Sequence, residues 1–152
     1  MGMKQSMLSK MIVLAATRHD GQFDRGGKPY FLHTLTVMQF TESSDEEILC
    51  IGIGHDLIED TKTTYQELRE LGISERVIDG IRAMTKVPGE TPDEYLARIM
   101  ANADAVIVKM ADLRHNSDIT RLKGVTEKDI KRMAKYHQMY ETLKAHRATL
   151  GV

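Results

Sequence analysis

From residue 6 to about residue 148, no stretch alternates apolar and polar residues for long enough to make a strand. Apolar positions return instead every three or four residues, the spacing of a helix with one buried face. Met7, Leu8, Met11, Ile12, Leu14 and Ala15 form such a stripe over Ser6 to Arg18. Start and stop signals then divide the chain. Residues 19–28 make a Gly-rich loop, and Pro29 opens a second helix to about Phe40. Asp45, Glu46 and Glu47 give a third helix an acidic start. Thr63 or Thr64, with Gln66 and Glu67, offers a capping box for a short helix to Leu71, and Ser74 starts another to about Met84. Thr91-Pro92-Asp93-Glu94 starts one to about Ala101, a further helix runs from Asp104 to about Asp118, and Thr126 caps a last one to about Ala148. The run Val106-Ile107-Val108 reads as buried helix. The expected fold is all-α, a bundle of roughly seven to nine helices forming one domain over residues 1–152, with neither internal repeats nor a linker.

Within this pattern one run concentrates polar chemistry. His55-Asp56-Leu57-Ile58-Glu59-Asp60 holds four proton-handling or metal-competent side chains in six positions. On a continuous helix, Glu59 would fall about 40° from His55 and Asp60 about 40° from Asp56, so all four would share one arc while Leu57 and Ile58 turn into packing. Three carboxylates on one face repel one another unless a cation lies between them, and a divalent metal is the simplest such cation. The preceding stretch, Ile48 to Gly54, is apolar, so the cluster emerges from a buried helix, a poor place for unpaired charge and a good one for a site.

Composition excludes several alternatives. A net charge of −1 gives no electrostatic case for nucleic acid or for an anionic membrane. The first residues lead into an amphipathic segment and not a signal sequence, and Met11 to Ala16 is too short an apolar run to span a bilayer. The single cysteine, Cys50, cannot form an internal disulfide and reads as a small buried hydrophobe, which fits a reducing, cytoplasmic setting. Tryptophan is absent and Met numbers ten, so the core is expected to be aliphatic and Met-rich. Four of the six histidines (His19, His33, His55 and His115) lie close to polar residues with metal or phosphate chemistry.

A second polar group, Lys109 to Asn116, places Asp112, His115 and Asn116 at i, i+3 and i+4 on one helix face, again after an apolar run. Two buried helices that each end in His and Asp groups could jointly supply a nitrogen–oxygen metal site. His33 is a third ligand candidate, one turn into a helix that follows the Gly-rich loop; a satisfied core histidine is the alternative reading. Arg25, Gly26, Gly27 and Lys28 in that loop could offer cations and backbone N–H groups to phosphate.

With these residues in hand, the chain resembles the HD-domain phosphohydrolases, and within them the hydrolase domain of Rel/Spo-type enzymes and small alarmone hydrolases. Those enzymes act on guanosine tetra- and pentaphosphate, (p)ppGpp. The resemblance rests on Gly21-Gln22-Phe23, on Gly27 with Pro29-Tyr30 and His33, on Gly54 to Thr61, on Gly80 to Lys86, and on Lys109 to Asn116. It implies four metal ligands, His33, His55, Asp56 and Asp112, for one divalent ion, manganese by preference, with magnesium or another divalent ion as alternatives. It implies that Glu59 and Asp60 position and deprotonate the attacking water. It also implies that Arg18 buttresses the site, that Asn116 contacts the nucleoside, that Lys109 lies near the substrate and that Arg25 faces phosphate. Lys28 and Arg114 could add charge toward the substrate. The chain departs from the family at Asp24-Arg25, where two basic residues are usual, and at Lys28, which replaces a common acidic residue. Thr34 stands where a proline usually follows the histidine, and Leu113-Arg114 inverts the usual order. These changes fall where phosphate and base would be read.

The implied reaction removes the 3′-diphosphate of (p)ppGpp, giving GDP or GTP and pyrophosphate. At 152 residues, with no synthetase segment, the expectation is hydrolysis without synthesis. The alternatives are an HD phosphohydrolase for another nucleotide or phosphoester, such as NADPH or a nucleoside monophosphate, and a non-catalytic nucleotide-binding module. The expected partner is a small-molecule nucleotide, with neither nucleic acid nor membrane. The stripe Ile130, Met133, Ala134, Tyr140 and Leu143 of the last helix reads as core or as a dimer surface, which leaves a homo-oligomer open.

Overall fold

The structure, a computed structural model, describes residues 5–152; the signal-sequence reading of residues 1–4 lies outside it. The described residues form nine α-helices: α1 (Met7–Arg18), α2 (Phe31–Phe40), α3 (Glu46–Gly54), α4 (Leu57–Asp60), α5 (Tyr65–Glu70), α6 (Glu75–Met84), α7 (Pro92–Met100), α8 (Ala103–Asn116) and α9 (Glu127–Leu150). A single 3-10 turn, Ile119–Arg121, joins the last two. None of these helices is long and apolar enough to cross a membrane.

Most boundaries follow the caps. Ser6, Asp45, Thr64, Ser74, Thr91, Asn102 and Thr126 each accept a backbone N–H from the first turn of their helix. Between Thr63 and Thr64 the structure selects Thr64, whose capping box closes with Glu67. The second helix starts at Phe31 and not at Pro29, because Pro29 pairs with Phe23 in an isolated antiparallel bridge that closes the Gly-rich loop. Helix α8 begins at Ala103, one residue before the expected Asp104, because Asn102 provides the cap.

Helix α3 is the centre of the bundle and packs on α1, α2, α6 and α8. Its two glycines make this approach close. A Cβ on Gly52 would stand 2.9 Å from the Met38 Cα, a backbone atom of α2, and one on Gly54 would meet the Met11 side chain of α1. Arg76 of α6 ties the start of α3 to the start of α8: its guanidinium reaches Asp45 at 2.9 Å, Glu47 at 3.1 Å and Asp104 at 2.8 Å. α3 and α8 therefore run the same way and deliver their C-terminal ends to one place, where the first turn of the oppositely running α2 meets them. The buried core is mostly aliphatic, with Met11, Met84 and Met110 contributing.

The stripe read on the last helix divides. Leu143 is fully buried, and Tyr136, Met139 and Tyr140 pack on the core, whereas Ile130 and Ala134 are exposed.

Candidate metal centre

Three helices bring His33, His55 and Asp112 together, at 2 %, 3 % and 5 % exposure. One ligand atom from each lies within 4.8 Å of the others, a grouping that could hold a metal ion. His33 Nε2 is 3.0 Å from Asp112 Oδ1, and His55 Nε2 is 3.4 Å from the same oxygen. Asp56 completes the group, with Oδ2 3.0 Å from His55 Nε2 and 3.9 Å from His33 Nε2. All four residues expected as ligands thus converge.

His55 tests whether these residues suit a metal. Its Nδ1 lies 2.7 Å from the Gly52 carbonyl oxygen, which can only accept, so Nδ1 carries the proton. The Nε2 atom is then a lone pair in the neutral ring, buried and without a hydrogen-bond partner, facing two carboxylates. That arrangement is repulsive until a cation enters. In the metal-free protein the cation is a proton. Burial alone would lower the His55 pKa, but the Asp56 and Asp112 carboxylates raise it well above the ordinary value. A divalent ion on the Nε2 side would take the proton's place, and the carbonyl-held Nδ1–H is the usual support of a metal-bound imidazole.

The carboxylates are held from behind. Burial would raise Asp112, yet the Lys109 ammonium at 2.9 Å, together with His33 and His55, keeps it well below the usual carboxylate range. Asn116 donates a second hydrogen bond to Asp112, at 3.0 Å. Tyr30 donates its hydroxyl to Asp56 Oδ2 at 2.5 Å. Asp56 is also pulled down by His55, against its own burial.

The run at 55–60 is not the single helix face that its spacing suggests. α3 ends at Gly54, Asp56 takes φ −104° and ψ 0°, and α4 begins afresh at Leu57. Gly54, the last residue of α3, is buried where a Cβ would meet the Met11 and Ile81 side chains. The break separates two pairs. His55 and Asp56 face the cluster, while Glu59 and Asp60 belong to α4 on the more exposed side. Leu57 is buried as expected, and Ile58 only partly. Glu59 accepts the Lys86 backbone N–H at 2.9 Å. Although Asp60 as a residue is exposed, its carboxyl is partly enclosed by protein. That enclosure, with the charges of Asp56 and Glu59, pushes it up to about 6.

The remaining expected residues separate into three situations. Asn116 and Arg25 line a cavity of about 290 Å³ beside Tyr30, together with Phe23, Arg121, Arg132 and Tyr136. Lys109 is engaged with Asp112 and faces the Tyr95 ring, so it supports a carboxylate from behind. Arg18 is occupied elsewhere, and Lys28 faces solvent. Arg18 pairs with Glu67 at 2.6 Å and reaches Thr63, joining α1 to α5, and Lys28 is exposed with its backbone N–H on Asp24 Oδ1. Asp24, a departure from the family pattern, makes an ion pair with Arg121 at 3.1 Å.

Sequence reasoning gave Tyr30 and Gln22 no role, and it placed His115 on the Asp112 face without a partner. Tyr30 holds Asp56. His115 meets His33, Nδ1 to Nδ1, at 2.8 Å. Gln22 bridges the buried His19 ring and the Asp60 carbonyl, each at 2.8 Å. The i, i+3 spacing of His19 and Gln22 was the only local signal; the other two contacts join residues far apart in the chain.

The likenesses to known proteins agree with this architecture. No family model matches the chain. It is 31 % identical over 137 residues to a GTP pyrophosphokinase rsh of Brucella ovis, covering 82 % of this chain and 18 % of that protein. It is also 31 % identical over 148 residues to a guanosine-3′,5′-bis(diphosphate) 3′-pyrophosphohydrolase of Aquifex aeolicus, covering 91 % of this chain and 20 % of that protein. The chain thus spans about one fifth of the length of the curated relatives it matches. A solved structure, described as a metazoan ortholog of SpoT that hydrolyses ppGpp and plays a role in starvation responses, matches with a TM-score of 0.74 at 18 % identity, over 98 % of this chain and 96 % of that one. The all-helical fold is therefore shared with that structure. The resemblance read from the motifs is borne out: the chain is a relative of the Rel/Spo-type enzymes.

Proposed function

We propose that the chain hydrolyses guanosine 3′,5′-bis(diphosphate) and its pentaphosphate analogue, releasing pyrophosphate from the 3′ position. The observation that carries this reading is the buried Nε2 of His55, without a hydrogen-bond partner and set between two carboxylates beside His33. His33, His55, Asp56 and Asp112 would hold one divalent ion, and two imidazoles with two carboxylates suit manganese. Bound there, the ion would supply Lewis-acid polarisation of a phosphoryl oxygen and a lowered pKa for water.

Asp60 is the candidate to take the proton of the attacking water, and Glu59, fixed by the Lys86 N–H, the candidate to orient it. Water oxygen would bond to the phosphorus next to the 3′ oxygen; that P–O bond would break, and the ribose would leave as a hydroxyl. The cavity beside Tyr30 and Asn116 would take the rest of a nucleotide, with Phe23 and Tyr136 for a base and Arg25 for phosphate, while Arg121 and Arg132 line it already paired with Asp24 and Asp129.

A substrate panel with manganese, magnesium or chelator tests the reading, scored for pyrophosphate against orthophosphate. The expected result is metal-dependent pyrophosphate from (p)ppGpp; release of orthophosphate alone would contradict it. Glu59→Gln and Asp60→Asn should lose at least 100-fold in turnover while retaining nucleotide binding, on the scale expected for general-base loss.

A further inference from the structure

We infer that His115 is a positioning residue: it accepts the Nδ1–H of His33 and so turns the Nε2 lone pair of His33 toward the metal centre. The inference rests on the reading of His33 as a ligand, and it assigns a task to a histidine outside the ligand set.

The two Nδ1 atoms lie 2.8 Å apart, a distance that requires one proton between them. Two protons would clash, and none would set two lone pairs against each other. Two arrangements remain. If His115 donates, His33 has its proton on Nε2 and gives it to Asp112 Oδ1, 3.0 Å away. If His33 donates, its Nε2 is bare and faces the Asp112 and Asp56 oxygens at 3.0 and 3.9 Å, where a cation would bridge. Only the second can ligate a metal. It requires His115 to accept on Nδ1 and carry its proton on Nε2, which its half-exposed position permits.

The surroundings keep the His115 ring in this role. Its ring lies nearly parallel to that of His33, with centroids 5.0 Å apart and planes 14° apart, and Phe40 meets it edge-on at 5.7 Å. Arg121 donates to the His115 carbonyl at 3.0 Å and so steadies the last turn of α8. His55 gets its orientation from a backbone carbonyl; His33, at the first turn of α2, gets it from a side chain of α8. The helix that supplies Asp112 therefore also sets the proton on a second ligand.

The test is manganese affinity of the substrate-free protein, for the wild type and for His115→Leu, His115→Asn and His33→Ala. His115→Leu should weaken binding 10- to 100-fold, the usual effect of removing the group behind a metal-bound histidine. His115→Asn keeps an acceptor near the Nδ1 position and should recover most of that loss, which a purely space-filling role for His115 would not produce. Binding lost in His33→Ala but intact in His115→Leu overturns this inference alone. Binding unaffected by His33→Ala removes the metal-site reading and this inference with it. Should the leucine variant fail to fold, long-range 1H–15N spectra of the wild type decide with zinc, a diamagnetic probe: His33 protonated on Nδ1 supports the inference, and a proton on Nε2 overturns it.

Discussion

Asp112 shows how much one buried carboxylate can organise. It takes hydrogen bonds from Lys109 and Asn116 and lies against His33 and His55, so four polar groups depend on it. The Lys109 side chain is only 14 % exposed, and no other carboxylate pairs with it among the described ion pairs. Removing one partner of a buried pair strands the other. Asp112→Ala should lower the unfolding free energy of the metal-free protein by about 3–5 kcal/mol, read from urea midpoints. A change below about 1 kcal/mol, the scale of an exposed pair, would show that Lys109 reaches solvent when the carboxylate is gone. Asp56 is supported in a similar way by the Tyr30 hydroxyl.

At the scale of elements, the geometry of the centre depends on how closely α2 lies on α3. Gly52 faces the Met38 backbone, which cannot swing aside as a side chain can. Gly52→Ala should therefore destabilise by roughly 1–3 kcal/mol, the range for overpacking, and should weaken metal binding as well, because α2 carries His33. An unshifted melting curve would mean that α2 yields without strain. Helix α9 depends on a different device, the capping box of Thr126 and Asp129. Thr126→Ala should cost about 1 kcal/mol. The Asp129 carboxylate accepts the Thr126 backbone N–H and the Arg132 guanidinium, which draw its pKa from 3.8 down to about 2. Its folded pKa is thus depressed, so its stabilising effect is complete above about pH 4 and fades as the pH falls through 2. An NMR titration of the Asp129 carboxyl checks this directly: a midpoint near 3.8 would mean that the cap does not hold.

Across the whole molecule, the centre joins α2, α3 and α8, and any ligand that favours it stabilises all three together. Manganese at 100 times its dissociation constant should add about 2.7 kcal/mol to the folded state, and chelator should remove it. The melting temperature should rise with manganese in the wild type and stay fixed in His33→Ala. A rise of equal size in both would place the bound ion elsewhere.

What could be read from residues alone was what depends on near neighbours. Helical stripes and caps located the elements within a few residues, because a cap bonds two or three positions along the chain. His33, His55, Asp56 and Asp112 were recognisable as a set through the family motifs that carry them, and their residue types have the chemistry of a ligand. Other features arise only from contacts across the fold. The occupation of Arg18 follows from Glu67, and the supports Tyr30 and His115 from partners 26 and 82 residues away. Sequence by itself determined the helices and the donor atoms, since both are local properties of the chain. Tertiary structure alone decided which way those donors face and which cations were already taken, because a lone pair is directed only by the group packed behind it.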